Sequence, residues 1–242
     1  MTKPQILMPN DCGIHNSNLE NSTIRLNKTK LYDNISTIIV VPTRGGPSLT
    51  PRWVTCLNNL MKPMNQQIFG PMFLSGMEVG VAYNEAIQSI FNNPVLNTCK
   101  YMLTWEDDVL PPPDGLLKLY EGMDKFDCIG ALYWTKGEEG QPMIYGDIND
   151  PVVNFRPQLP QSECLQRTYG LGMGFNLFKL DIFRKLEYPW FETVQRWDAN
   201  TGAAQWTQDL SFFHKAGREG FKFACNTKVR AGHFSHETDI VW

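Results

Sequence analysis

The sequence predicts an α/β domain built on a mixed, mostly parallel sheet flanked by helices, and three observations carry that expectation. Between residues 35 and 105 apolar runs of strand length alternate with stretches of helical spacing, in the order strand, helix, strand, helix, strand. That is the pattern of parallel strands joined by crossovers. The runs Ile35–Val41 and Cys128–Trp134 are almost wholly apolar, as strands covered on both faces must be. Two polar clusters, Pro42-Thr43-Arg44-Gly45-Gly46 and Glu106-Asp107-Asp108, each follow directly on a strand, and ligands of such sheets gather outside the strands' carboxyl ends.

The elements follow in order. Residues 1–34 are rich in Asn, Thr, Ser and Lys without sustained periodicity and read as a loosely ordered extension, with Ile24–Leu26 placed to add an edge strand. The single domain then spans 35–242. Ile35–Val41 is the first strand. Helical spacing of Trp53, Val54, Leu57, Leu60 and Met61 predicts a helix over Pro51–Met64, with Thr50 as cap and Pro51 in its first turn. Ile68–Leu74 is a second strand, interrupted at Gly70-Pro71, and Val79–Phe91 a second amphipathic helix. Tyr101–Trp105 is the third strand. It runs into three consecutive acids, and Pro111-Pro112-Pro113 stops any continuation. Gly115–Met123 reads as a short helix, Cys128–Trp134 as a buried strand and 135–168 as a long loop holding a short strand at Met143–Tyr145. A helical turn at Asp181–Leu186, an aromatic patch at Tyr188–Phe191, a helix over Gln208–Gly217 and a last strand at Lys222–Val229 complete the chain before Gly232-His233.

Composition narrows the function. The 242 residues, 42% apolar, suffice for one sizeable core, and a net charge of −3 gives no basic footprint, so no nucleic-acid partner is expected. The six cysteines include no C-x-x-C pair and several fall in apolar elements, which favours reduced thiols. The N-terminus shows no apolar signal core, and no apolar run approaches a membrane span. The expectation is a cytoplasmic protein without a transmembrane segment.

Each candidate site residue also has a plain structural reading. Adjacent carboxylates at a strand end lose hydration and repel one another, a cost that a divalent cation would offset; an acidic loop is the alternative. Arg44, with Gly45 and Gly46, suits a phosphate, or forms an ordinary turn. Asp209 is either a catalytic acid or the N-terminal acid of its helix. Gly170-Leu171-Gly172-Met173-Gly174 lacks the spacing and the position of a dinucleotide fingerprint, and reads as backbone passing close to a pocket.

Taken together these segments resemble the nucleotide-sugar glycosyltransferases of the GT-A fold, in particular the large family 2 type. Ile38–Arg44 looks like the opening strand with its nucleotide-contacting end. Val79-Gly80-Val81-Ala82-Tyr83-Asn84-Glu85-Ala86 is similar to the family's helix, with Tyr83 where Arg is commoner. Trp105-Glu106-Asp107-Asp108 resembles the D-x-D metal motif, and Gly172–Phe178 the glycine-rich acceptor-side segment. Gln208-Asp209 onward resembles the E-D helix, with Gln208 in place of Glu, and His233 falls where many members place a histidine.

The resemblance implies a Rossmann-like GT-A sheet and an enzyme of hexosyltransferase type. Such an enzyme moves a sugar from a nucleotide-diphosphate donor, UDP by preference, to a carbohydrate, lipid-linked or protein hydroxyl with inversion. It further implies Mn2+ or Mg2+ held by Asp108, Asp107 and His233, donor contacts from Pro42, Thr43, Arg44, Asn84, Glu106 and Asp107, and Asp209 as base. Acceptor contacts would come from Trp134, Gly172, Gly174, Trp190 and Trp206. A retaining transferase, a sugar nucleotidyltransferase and a non-catalytic carbohydrate-binding module of the same fold are the alternatives.

Overall fold

The computed structural model describes residues 34–43, 49–63, 66–198 and 202–242. Apart from Asn34, the expected extension 1–34 with its Ile24–Leu26 strand lies outside the described residues. So does Arg44.

In chain order the strands are β1 (Thr37–Thr43), β2 (Ile68–Ser75), β3 (Tyr101–Trp105), β4 (Val109–Leu110), β5 (Cys128–Leu132), β6 (Ile144–Tyr145) and β7 (Leu165–Thr168). They continue as β8 (Gly170–Leu171), β9 (Phe175–Lys179), β10 (Val194–Asp198), β11 (Gly202–Trp206), β12 (Phe223–Arg230) and β13 (Gly232–His233). The helices are α1 (Pro51–Asn59), α2 (Val79–Asn92), α3 (Gly115–Tyr120), α4 (Asp181–Lys185) and α5 (Gln208–Arg218).

Seven strands form the central sheet in the order β2-β1-β3-β9-β5-β12-β7. Strands β2, β1, β3, β5 and β12 share one direction, and β9 and β7 run against it. The expected mixed, mostly parallel sheet is therefore present. Its alternating side chains feed two cores. Ile38, Val40, Met102 and Phe178 face one layer with Ala82, Ile87, Phe183, Phe212 and Phe213 of α2, α4 and α5. Ile39, Val41, Leu103 and Leu177 face the other with Trp53 of α1 and Leu116, Leu119 and Tyr120 of α3. Burying each such aliphatic or aromatic side chain stabilises the fold by ~1.5–3 kcal/mol, which locks the strand ends in place.

Local chemistry explains the boundaries. Thr50 Oγ1 accepts from the Trp53 backbone N–H at 3.2 Å and Pro51 opens α1, as expected. The helix stops at Asn59 rather than at Met64, because Pro63 disfavours helical backbone just before it and the Met61 N–H is taken by the Pro113 carbonyl. Strand β2 runs through Gly70-Pro71 instead of breaking there. The register against β1 shifts at that point, and Gly70 holds φ +93° with no space for a Cβ, which would lie 2.7 Å from the Ile39 carbonyl.

Four strands of four or five residues lie where none was expected. β9 is inserted antiparallel between β3 and β5, β7 edges the sheet within the expected long loop, and β10 and β11 form a hairpin. Among the described residues no helix is long and apolar enough to cross a membrane. Cys99, Cys128, Cys164 and Cys225 are free thiols.

Candidate functional site

The site grows from the carboxyl ends of β1 and β3. These strands are parallel neighbours with Val40 opposite Thr104, so Pro42 and Thr43 overhang beside the acids that follow Trp105. Pro42, Thr43, Met77, Val79, Glu106, Asp107 and Asp108 line a cleft of about 220 Å³. The fold thus brings together five of the residues that the sequence nominates for a donor or a metal.

Backbone bonds fix the acids. The Glu106 N–H donates to the Gly174 carbonyl (2.9 Å) and the Val109 N–H to the Glu106 carbonyl (3.1 Å), which turns the chain at Asp107 and Asp108. The Trp105 indole N–H closes that turn on the Val109 carbonyl at 2.8 Å. β4 then pairs with β13, opposing Val109 to His233, and the Phe234 N–H donates to the Asp108 carbonyl at 2.7 Å. The C-terminal histidine therefore does return to the acids. His233 Nε2 lies 3.6 Å from Asp108 Oδ2, while Nδ1 sits 2.7 Å from the Trp134 carbonyl. A carbonyl can only accept, so Nδ1 carries a proton, and Nε2 faces the Asp108 carboxylate.

A residue the sequence reading passed over completes this corner. Lys136 Nζ stands 2.5 Å from Asp108 Oδ2. Burial alone would raise the Asp108 pKa, but His233 and Lys136 outweigh it and hold the carboxyl well below the usual range. Glu106 behaves in the opposite way. Burial, reinforced by the charges of Asp108 and Asp209, pushes it up to about 8 against a weaker opposing hydrogen bond from Tyr83, whose hydroxyl donates to Oε1 at 3.4 Å. Glu106 is a neutral carboxyl at pH 7.

Asp209 reaches the same group of acids from α5. Helices α2 and α5 meet closely at their N-termini because Gly80 has no side chain: a Cβ there would lie 3.1 Å from Gln208 Cβ. Asp209 is 8% exposed. Its Oδ1 accepts from the Thr207 hydroxyl and from the Leu210 N–H at 2.9 Å. Burial raises its pKa despite these bonds.

Other nominated residues are placed away from the cleft. Asn84 is buried and fully engaged with backbone: Nδ2 donates to the Phe191 carbonyl at 2.7 Å, and Oδ1 accepts from the Trp190 and Phe191 N–H groups. Trp190 is a core residue whose indole N–H donates to the Phe183 and Leu186 carbonyls. Gly172 and Gly174 pack onto Tyr133; a Cβ on Gly174 would lie 2.7 Å from both Tyr133 Cζ and Val109 Cγ2. These two glycines leave room for the Tyr133 ring. Trp134 is half-buried beside the site. Trp206, 39% exposed, lines a separate groove of about 600 Å³ along α5 with Glu192, Lys215 and Arg218.

Lys136 and Tyr133 were missed, and Tyr83 was singled out only as a departure from the family's helix. Lys136 follows the carboxyl end of β5, a parallel strand of the same sheet edge, and that position is the signal that could have found it.

The expected metal ion fits these residues poorly. Asp108 and His233 supply two suitable donor atoms, but among the described residues no group of three His, Cys, Asp or Glu side chains is placed to hold an ion. The third neighbour is an ammonium.

No protein-family model matches the sequence, and no curated protein matches it. Solved structures do match its fold. A197 from STIV superposes with a TM-score of 0.57 at 17% identity, covering 84% of this chain and 87% of that one. GalNAc-T7, crystallised with UDP, GalNAc and Mn2+, superposes with a TM-score of 0.54 at 11% identity over 84% of this chain and 44% of that one. The chain thus spans less than half the length of GalNAc-T7. What it shares with these proteins is the architecture, a GT-A-like, Rossmann-type α/β fold.

Proposed function

We propose that the chain is a glycosyltransferase that moves a sugar from a nucleotide-diphosphate donor to an acceptor hydroxyl, with inversion at the anomeric carbon. The observation that carries this reading is the convergence of Pro42 and Thr43, the Glu106–Asp108 turn and the buried Asp209 at one sheet edge. Pro42 and Thr43, with Arg44, hold the nucleotide. Asp209 takes the acceptor's proton as the acceptor oxygen bonds to the anomeric carbon, while the bond to the diphosphate breaks and its electron pair leaves with the nucleotide. Its raised pKa makes its carboxylate a stronger base. Neutral Glu106 offers an O–H to the substrate where an ionised carboxylate would repel phosphate.

GalNAc-T7 binds UDP and Mn2+, so UDP-sugars with and without Mn2+ are the first donors to test, by thermal shift and by UDP release. A chain that neither binds nor hydrolyses any nucleotide sugar is not a transferase, and sugar binding without turnover would mark a carbohydrate-binding module. Asp209→Asn should keep donor binding and lower transfer ~10²–10⁴-fold, the range of a lost general base. Normal transfer by this variant would remove Asp209 from that role.

A further inference from the structure

Apart from the acidic cleft and the groove beside Trp206, a pocket of about 200 Å³ opens where α5 ends and β12 begins. Strand register carries Phe223 level with Cys128, Phe178 and Met102. The pocket therefore lies at the amino end of β12, three strands across from the acids and toward the opposite end of the sheet. Phe213 and Phe223 form its buried floor, packed edge to face with ring centroids 4.8 Å apart. Phe155, Tyr169 and Phe221, each partly exposed, add further ring surface.

Its charge runs against that of the chain. Arg167, Arg218 and Lys222 stand on its exposed rim and no Asp or Glu lines it, although the net charge of the protein is −3. Among the described residues none of these three cations is held in an ion pair. Gly217 is an independent sign. It lies inside α5, where glycine weakens a helix relative to alanine, and packing does not demand it: a Cβ there would meet only Phe223 Cε2, at 3.8 Å. The missing side chain leaves the pocket open.

Guanidinium forks match phosphate and carboxylate groups, and aromatic walls take a flat ring. Pockets for drug-sized ligands hold roughly 300–1,000 Å³, so this smaller one suits a single ring. We propose that it binds a small aromatic anion, with one ring against Phe213 and Phe223 and a phosphate or carboxylate facing Arg167, Arg218 and Lys222. The pocket is apart from the cleft assigned to the nucleotide, so the proposal stands or falls separately from the transferase reading.

The test is calorimetric titration of the full chain with four probes. Phenyl phosphate and benzoate supply ring and charge together, inorganic phosphate the charge alone and benzyl alcohol the ring alone. At least one aromatic anion should bind about tenfold or more tightly than both controls, and the tighter of the two identifies the anionic group. Gly217→Leu, which fills the pocket, should weaken that binding at least about tenfold, and so should Arg167→Gln combined with Arg218→Gln. The arginine pair is exposed and supplies the comparison should the leucine variant not fold. Aromatic anions that bind no more tightly than the controls, or as tightly to the folded variants as to the wild type, would overturn the proposal. The expected losses in a protein that hydrolyses no nucleotide sugar would leave it intact while the transferase reading fails.

Discussion

Replacing Glu106 with Gln separates the electrostatic account of the site from the fold that carries it. In the folded chain the Glu106 carboxyl titrates at about 8, against 4.5 for an ordinary glutamate, because it is enclosed beside Asp108 and Asp209. The folded state therefore keeps a proton that the unfolded chain releases. Stability from this group is fully present below about pH 4.5 and is lost as pH rises toward about 8. At ~1.4 kcal/mol per unit, a displacement of 8 − 4.5 = 3.5 units sets an upper bound of ~5 kcal/mol. Glu106 lines an open cleft, where water screens part of that cost, so the expected loss is ~2–3 kcal/mol. Glu106→Gln keeps the shape and the hydrogen bond with Tyr83 but does not titrate. Urea unfolding at pH 5 and pH 9 should show the variant gaining ~2–3 kcal/mol on the wild type at the higher pH. A gap that stays constant over this range would refute the assignment of a proton to Glu106.

Two further substitutions test the structural roles given to residues first nominated as ligand contacts. Asn84→Ala should cost ~3 kcal/mol, since it strands two backbone N–H groups and one carbonyl in the interior; a loss under ~1 kcal/mol by urea unfolding would return Asn84 to a binding role. Gly174→Ala should cost ~1–3 kcal/mol through overpacking against Tyr133 and Val109, again by urea unfolding, and a neutral effect would mean that the space beside Tyr133 is open to a ligand.

The sheet was legible where burial writes itself into one short segment. Ile38–Val41 is apolar on both faces because both faces are covered, and Thr50-Pro51 marks a helix start through bonds within a single turn. Strand β9 is different. Phe-Asn-Leu-Phe-Lys is five residues long with Asn176 near its start, and its strand character comes from partners on β3 and β5. The Asn176 Nδ2 finds its carbonyl only because the chain turns back to bring Gly172 to 2.7 Å. The β10–β11 hairpin likewise follows pairing that composition does not encode. Asn84 shows the same limit in the site: a buried amide needs partners, but nothing near it in sequence says whether these are a nucleotide or a backbone 106 residues away. The acids were found because charge at a strand end is local. Lys136 was not, because its meaning depends on meeting Asp108 across the sheet edge.

Charge is what unites these separately encoded groups. Glu106, Asp107, Asp108 and Asp209 bring four acids to one edge, a poor place for an anionic diphosphate if all four were ionised. The fold reduces that repulsion in two different ways. Glu106, enclosed beside its acidic neighbours, keeps its proton at pH 7, whereas Asp108 remains ionised because Lys136 and His233 lie against it. Each effect supports the other: a paired Asp108 is the nearest fixed negative charge that keeps Glu106 protonated, and a neutral Glu106 leaves Lys136 to answer mainly to Asp108. Removing the Lys136 ammonium would therefore act twice, taking a close positive charge from Asp108 and, through Asp108, changing the field at Glu106.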